Sequence, residues 1–221
     1  HLPNILSNPL AELLDSTQSK GTVKSSGGKS TKTADDPTPR PVRVGAAQWT
    51  SDGNRLAISL FSQDNKDRWI AIFDCNSKER VLATAMHRHD PAWINRRVGR
   101  MAWLPDNRTL YYTDESNGYS QLYTFDAVAQ KTRQLTSGNF VVSSVQPNPD
   151  GSFLYFKANR HHPGIYEIFR VDVVSGDVEQ LTHFGGVNDG IVSPDEKNLL
   201  VTHSSAGSPP ELWIVPMSDL R

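Results

Sequence analysis

Several short stretches of this 221-residue chain carry residue types that can do chemistry. In His87-Arg88-His89-Asp90 two imidazoles and a carboxylate fall within four residues, and on a strand His87 and His89 would share a face. Such a pair can begin a metal site, but no second cluster stands at finger-like spacing. His161-His162 precedes Pro163-Gly164, where a hairpin loop is expected to present polar side chains to water. Both clusters read as exposed or loop-packed, and His183 and His203 as hydrogen-bonded structural residues on strands. The sequence nominates no metal ligand and no cofactor contact.

Two further chemistries fail on spacing. The run SSGGKST (25–31) suggests a phosphate loop, which needs glycine, four residues, then Gly-Lys-Ser/Thr. Gly28-Lys29-Ser30 would require glycine at position 23, where Val23 stands, so the run reads as linker. A serine nucleophile on a sharp strand-to-helix turn is marked by Gly-x-Ser-x-Gly. Ser120 in NGYSQLY has a glycine two residues before it and none two after, and HSSAGSPPE (203–211) also lacks the pattern. No catalytic residue is assigned.

Composition narrows the class. The chain is 37% hydrophobic and 21% charged, enough for a soluble core, and its net charge of −1 gives no electrostatic pull towards nucleic acid. No apolar run approaches the ~20 residues that span a bilayer as a helix. The single cysteine, Cys75, precludes an internal disulfide and reads as a small buried residue at a strand end. The chain opens on His1 and stops after a strand-like ELWIVPM, which suggests a piece of a longer polypeptide.

What would position any site is a repeat. The segments WTSDGNRLAIS (49–59), WLPDNRTLYYT (103–113), PNPDGSFLYFK (147–157) and VSPDEKNLLVT (192–202) align on Asp52, Asp106, Asp150 and Asp195. Their intervals are 54, 44 and 45 residues. Each copy is followed by a second alternating run: RWIAIFD, QLYTFD, IYEIFRVD and ELWIVPM. Three continue into ERVLAT (79–84), TRQLTSG (132–138) and VEQLTHFGG (178–186). With a short strand before each turn aspartate, the unit has four strands, the signature of β-propeller blades. The fold expected is all-β, with about four blades of four antiparallel strands, at 44–98, 99–140, 141–187 and 188–221. Residues 1–43 form an irregular or partial-blade segment with a Ser/Lys/Gly-rich loop. The longer first interval is assigned to an insertion, HRHDPAWINRRV (87–98), between blades. Trp49 and Trp103 precede equivalent turns and read as blade packing.

These repeats also carry a resemblance. SNGYSQLYTFDAVAQKTRQLTSGNFVVSSVQPNPDGSFLYFKAN (116–159) and HPGIYEIFRVDVVSGDVEQLTHFGGVNDGIVSPDEKNLLVTHSSAGSPPELWIVP (162–216) resemble the N-terminal propeller of dipeptidyl-peptidase-IV-like serine peptidases of the prolyl oligopeptidase (S9) family. DNKDRWIAIFD (64–74) and HRHDPAWINR (87–96) are similar to phrases of bacterial members. The resemblance covers about residues 44–217.

It implies a non-catalytic propeller that gates and positions peptide substrates for a C-terminal α/β-hydrolase domain of the same parent chain. That hydrolase domain is absent here, so the segment has no activity of its own while the parent is a serine peptidase. Periplasmic or exported location is favoured by the resemblance alone. The paired glutamates that grip a substrate amino terminus in dipeptidyl peptidases have no match in this sequence. A TolB-like protein-binding propeller without catalysis is the alternative. An open ring exposes blade faces, to be covered by further blades or by self-association.

Overall fold

A computed structural model describes residues 41–76, 82–96 and 98–220. The described residues divide into two compact units, those of 41–47 with 54–94 and those of 48–53 with 95–220.

The first unit is built on one antiparallel sheet in sequence order: β1 (Val42–Trp49), β2 (Arg55–Ser62), β3 (Asp67–Asp74) and β4 (Leu82–His89). Strand β3 is central, and its first six residues are all buried, because both faces of an inner strand are covered. Leu60, Trp69 and Ala71 form the core, with Val42 and Ile58 packed against it. A register shift between Ile70 and Ala71 opposes Met86 and Thr84, which leaves Ala85 as the extra residue of a β-bulge.

This sheet revises two sequence readings. His87 and His89 belong to β4, so the stretch from 87 does not begin as an insertion between blades. The ERVLAT segment lies partly outside the described residues, as does the whole of 1–40 with its phosphate-loop-like run. Cys75, one residue past β3, is exposed rather than buried.

The second unit holds the remaining strands. β5 (Met101–Trp103), β6 (Thr109–Asp114), β7 (Gln121–Asp126) and β8 (Lys131–Gln134) make one four-stranded sheet in sequence order. β9 (Val142–Pro147), β10 (Phe153–His162), β11 (Ile165–Asp172) and β12 (Val178–Gln180) repeat that order. β13 (Val187–Val192), β14 (Asn198–Ser205) and β15 (Ser208–Pro216) form a third antiparallel set. A single parallel bridge, Tyr166↔Val187, joins this last set to β11.

Alternation along β10 explains how these sheets stack. Leu154 and Phe156 point to one face, where with Phe169 and Val171 they meet Leu104, Tyr111, Leu122 and Phe140 of the preceding sheet. Tyr155 points to the other, where with Ile168 and Leu181 it meets Leu199 and Val201 of β14. Each such side chain contributes about 1.5–3 kcal/mol on burial, and a sheet lying between two others collects this on both faces.

The turn aspartates act as the repeat demands. Asp106 accepts from the N–H groups of Arg108 (2.9 Å) and Thr109 (2.8 Å). Asp150 accepts from Ser152 N–H (2.8 Å), and Asp195 from Lys197 N–H (3.2 Å) and the Ser193 hydroxyl (2.6 Å). The Ser152 side chain and then its N–H lower the Asp150 carboxyl below the ordinary carboxylate range, and the Ser193 hydroxyl and then the Lys197 N–H do the same for Asp195. A second series, not used in the sequence alignment, closes the other hairpin turns. Asp126 accepts from Val128 and Ala129 N–H (both 2.9 Å), and Asp172 from Val174 (2.8 Å) and Ser175 (2.7 Å).

The recurrent Gln-Leu-Thr phrase also has a structural meaning. Thr136 Oγ1 accepts from Leu122 N–H (2.9 Å) and donates to Gln121 Oε1 (2.7 Å). Thr182 Oγ1 likewise accepts from Ile168 N–H (2.9 Å) and donates to the buried Glu167 carboxylate. Each threonine ties the outer segment of its sheet to the strand beside it.

Candidate functional site

Three clusters of polar side chains are built by this fold. The first lies in the first unit. Register pairs Asp67 with His89 and Trp69 with His87, so the two-residue alternation puts both imidazoles over the carboxylate. His87 Nε2 (2.9 Å) and His89 Nδ1 (3.0 Å) both reach Asp67 Oδ1, whose side chain is only 4% exposed. The His87 ring stacks on Trp69. Among the described residues no group of three His, Cys, Asp or Glu is arranged to hold a metal ion. Asp67 was not paired with the histidines from sequence because it lies 20 residues upstream; the strand register was the available signal.

The second cluster sits at the junction of the last two sheets. His203 Nδ1 meets Asn188 Oδ1 (2.8 Å), its ring stacks on Trp213 at 4.2 Å, and Asn188 donates to Tyr166 O (2.9 Å) and Glu167 Oε2 (3.2 Å). Gly185 N–H donates to Glu167 Oε1 (2.7 Å). His203 is thus a hydrogen-bonded structural residue on β14. His183, in contrast, lies off the strands and is exposed. Gly186 adopts φ +63°, and a Cβ there would fall 2.3 Å from Ser204 O, so only glycine lets this junction close.

Other sequence candidates fall elsewhere. His161 and His162 end β10 rather than occupying a loop, and are exposed. Ser120 is buried and donates its hydroxyl to Val142 O (2.8 Å). Trp103 is half-buried and donates its indole N–H to Gln48 O (2.9 Å), whereas Trp49 is 56% exposed and packs no core.

The third cluster is the concave one. A recess of about 380 Å³ opens where Arg100, just before β5, meets β9 and β13. Apolar Val145, Ile191 and Leu200 line it together with the polar side chains of Arg100, Ser144, Gln146, Asp189 and Thr202. β9 bulges here: Tyr155 pairs with Gln146 but Lys157 with Ser143, and Ser144 takes φ +51°. The bulge aims Ser144 Oγ at Asp189 Oδ2 (3.3 Å), which also accepts from Lys157 Nζ (2.8 Å). The Lys157 ammonium lies over the Tyr166 ring (5.6 Å) with its side chain 17% exposed, while the Asp189 side chain is 47% exposed, so the lysine end of the pair is sheltered and the carboxylate end open. Arg100 is exposed and bears on Tyr111, whose phenol is pushed up by burial and drawn back by that guanidinium.

A larger cleft of about 810 Å³ lies at the turn ends of β10, β11 and β14. Several of its polar groups already pair with one another: Arg170 with Glu179 (2.7 Å), and Tyr155 OH with Glu196 (2.6 Å). Burial and then the Glu196 contact push the Tyr155 phenol up to about 12.

Against this geometry, the family model described as the dipeptidyl peptidase IV (DPP IV) N-terminal region matches residues 11–210. The chain belongs to this family. Solved structures agree at the level of fold. Dipeptidyl peptidase 4 of Porphyromonas gingivalis superposes with a TM-score of 0.68 at 17% identity, over 87% of this chain and 27% of that one. TolB of Acinetobacter baumannii superposes at 0.54 with 23% identity, over 82% of this chain and 42% of that one. The chain therefore spans less than half the length of either. In the DPP IV N-terminal family, stacked four-stranded antiparallel sheets are propeller blades, and the described sheets are an open part of one. No helix among the described residues is long and apolar enough to cross a membrane.

Proposed function

We propose that this chain is the non-catalytic propeller part of an S9-type serine peptidase, screening and positioning peptides for an α/β-hydrolase domain carried by the same polypeptide. The match of residues 11–210 to the DPP IV N-terminal region carries this reading. The recess at Arg100, β9 and β13, lined by both apolar and polar side chains, suits contact with a peptide.

A fluorophosphonate probe applied to the native source tests this. We expect peptides such as YFKANRHHPGIYEIFR in a labelled band much heavier than 24.6 kDa. Recovery of these peptides only from unlabelled protein would overturn it. The TolB superposition, at the higher identity of the two, supports a second reading as a protein-binding propeller, which that negative outcome would favour.

A further inference from the structure

We propose that the recess at Arg100 is a carboxylate subsite, taking a peptide through a carboxylate set beside an apolar side chain. The inference deepens the peptide-positioning reading and rests on it. Three observations converge. First, the half-exposed Asp189 is paired with Lys157, which leaves Arg100 as the one other charged side chain lining the recess among the described residues. Second, the lining side chains of Arg100, Gln146 and Thr202 have no hydrogen-bond or ion-pair partner among the described residues, though their donors border one recess. A guanidinium matches a carboxylate in two parallel N–H···O bonds, and an amide and a hydroxyl can complete its remaining lone pairs. Third, Ile191 is 61% exposed and Leu200 38% exposed in the lining, which leaves apolar surface for a neighbouring aliphatic side chain.

The β9 bulge tempers the Asp189 charge. By directing Ser144 towards Asp189 it adds a second donor to that carboxylate beside Lys157, so its charge at the recess is partly offset. Removing the Asp189 charge therefore has the opposite sign to removing Arg100.

The test is calorimetric titration of the whole polypeptide that carries this chain. The probes are N-acetyl-Ala-Ala-Leu as free acid, its C-terminal amide, and N-acetyl-Ala-Glu-Leu amide. We expect at least one carboxylate peptide to bind at least about tenfold more tightly than the uncharged amide. Preference for the first probe assigns the subsite to a peptide C-terminus; preference for the third assigns it to an acidic side chain. Arg100→Gln abolishes the preference and Asp189→Asn enlarges it. Equal binding of all three probes, or a preference untouched by Arg100→Gln, overturns the proposal. Fluorophosphonate labelling of the same samples separates the two readings. Labelling without carboxylate preference sinks the subsite alone, and preference without labelling supports the subsite while sinking the peptidase assignment.

Discussion

At the residue scale the fold is held by aspartates that cap turns, and Asp126 is the strongest case. Its carboxylate takes Arg108 through Nε (2.8 Å) and Nη2 (2.6 Å) while accepting two turn N–H groups. The Arg108 contact first, and the Val128 and Ala129 N–H groups with it, hold this carboxyl far below the carboxylate range. A carboxyl depressed in the folded state stabilises it fully above the unfolded value, near 3.8, and that stabilisation fades as pH falls from there. The site is partly exposed, so solvent screening keeps the contribution modest. Asp126→Asn is expected to unfold with a smaller loss of stability between about pH 5 and 2 than the parent, measured by urea denaturation along that pH series. Parallel curves would show that Asp126 does not couple folding to pH.

The same scale shows what was legible in the sequence. Asp52, Asp106, Asp150 and Asp195 were readable because turn chemistry is local: an aspartate bonds N–H groups two or three residues on. The contact of Asp67 with His87 and His89 was not, since it depends on the register between β3 and β4. The exposure of Trp49 and Cys75 was equally hidden, because residue type predicts average burial and only packing decides the instance.

At the scale of elements, the informative feature is an asymmetry between the two faces of the last sheet. Leu199 and Val201 on β14 are fully buried against the third blade. Their alternates are not: Leu200 pairs with Ile214 and Thr202 with Leu212, and Ile191 with Leu200, while Leu212 and Ile214 are 72% and 74% exposed. β15 pairs only with β14 among the described residues. Such a face and edge invite association. Replacing Leu212 and Ile214 together by lysine is expected to shift any oligomers of the isolated chain towards monomer in sedimentation velocity, with denaturant stability changed by less than about 1 kcal/mol. An unchanged distribution of species would place the contact elsewhere. Strand identities were legible here from period-two alternation, yet alternation does not say which face meets a neighbour. That needed the stacking order. His183 was misplaced for a related reason: the strand β12 ends at Gln180, and Thr182 turns inwards to Glu167, taking the chain off the ladder before His183.

At the scale of the whole molecule, stability resides in the seams between blades as much as in the ladders. Phe169 is 1% exposed, packs in the seam between the second and third blades, and stacks with Phe156. Truncation to alanine is expected to cost about 3–5 kcal/mol, and the loss should appear in one cooperative transition spanning both blades. Guanidinium denaturation followed by tryptophan fluorescence and far-ultraviolet dichroism checks this; two separated transitions would mean that the blades fold independently. The repeat arithmetic made the blades visible in advance. The recess at Arg100 was invisible, because its lining gathers residues as far apart as 100, 146, 189 and 202, and no local spacing records their meeting.

The bridge between Tyr166 and Val187 is slight backbone support for the last sheet. Within the last sheet, β14 is laddered to β13 over six residue pairs and to β15 along nearly its whole length. Across the seam the backbone offers one bridge, with Tyr166 N–H on Gly186 O (2.8 Å) beside it. Attachment across that seam therefore rests on side chains, on the core of Tyr155, Ile168, Leu181, Leu199 and Val201 and on the Asn188 contacts with Tyr166 O and Glu167. A substitution that spares every backbone bond can thus loosen the last sheet as effectively as one that breaks the bridge.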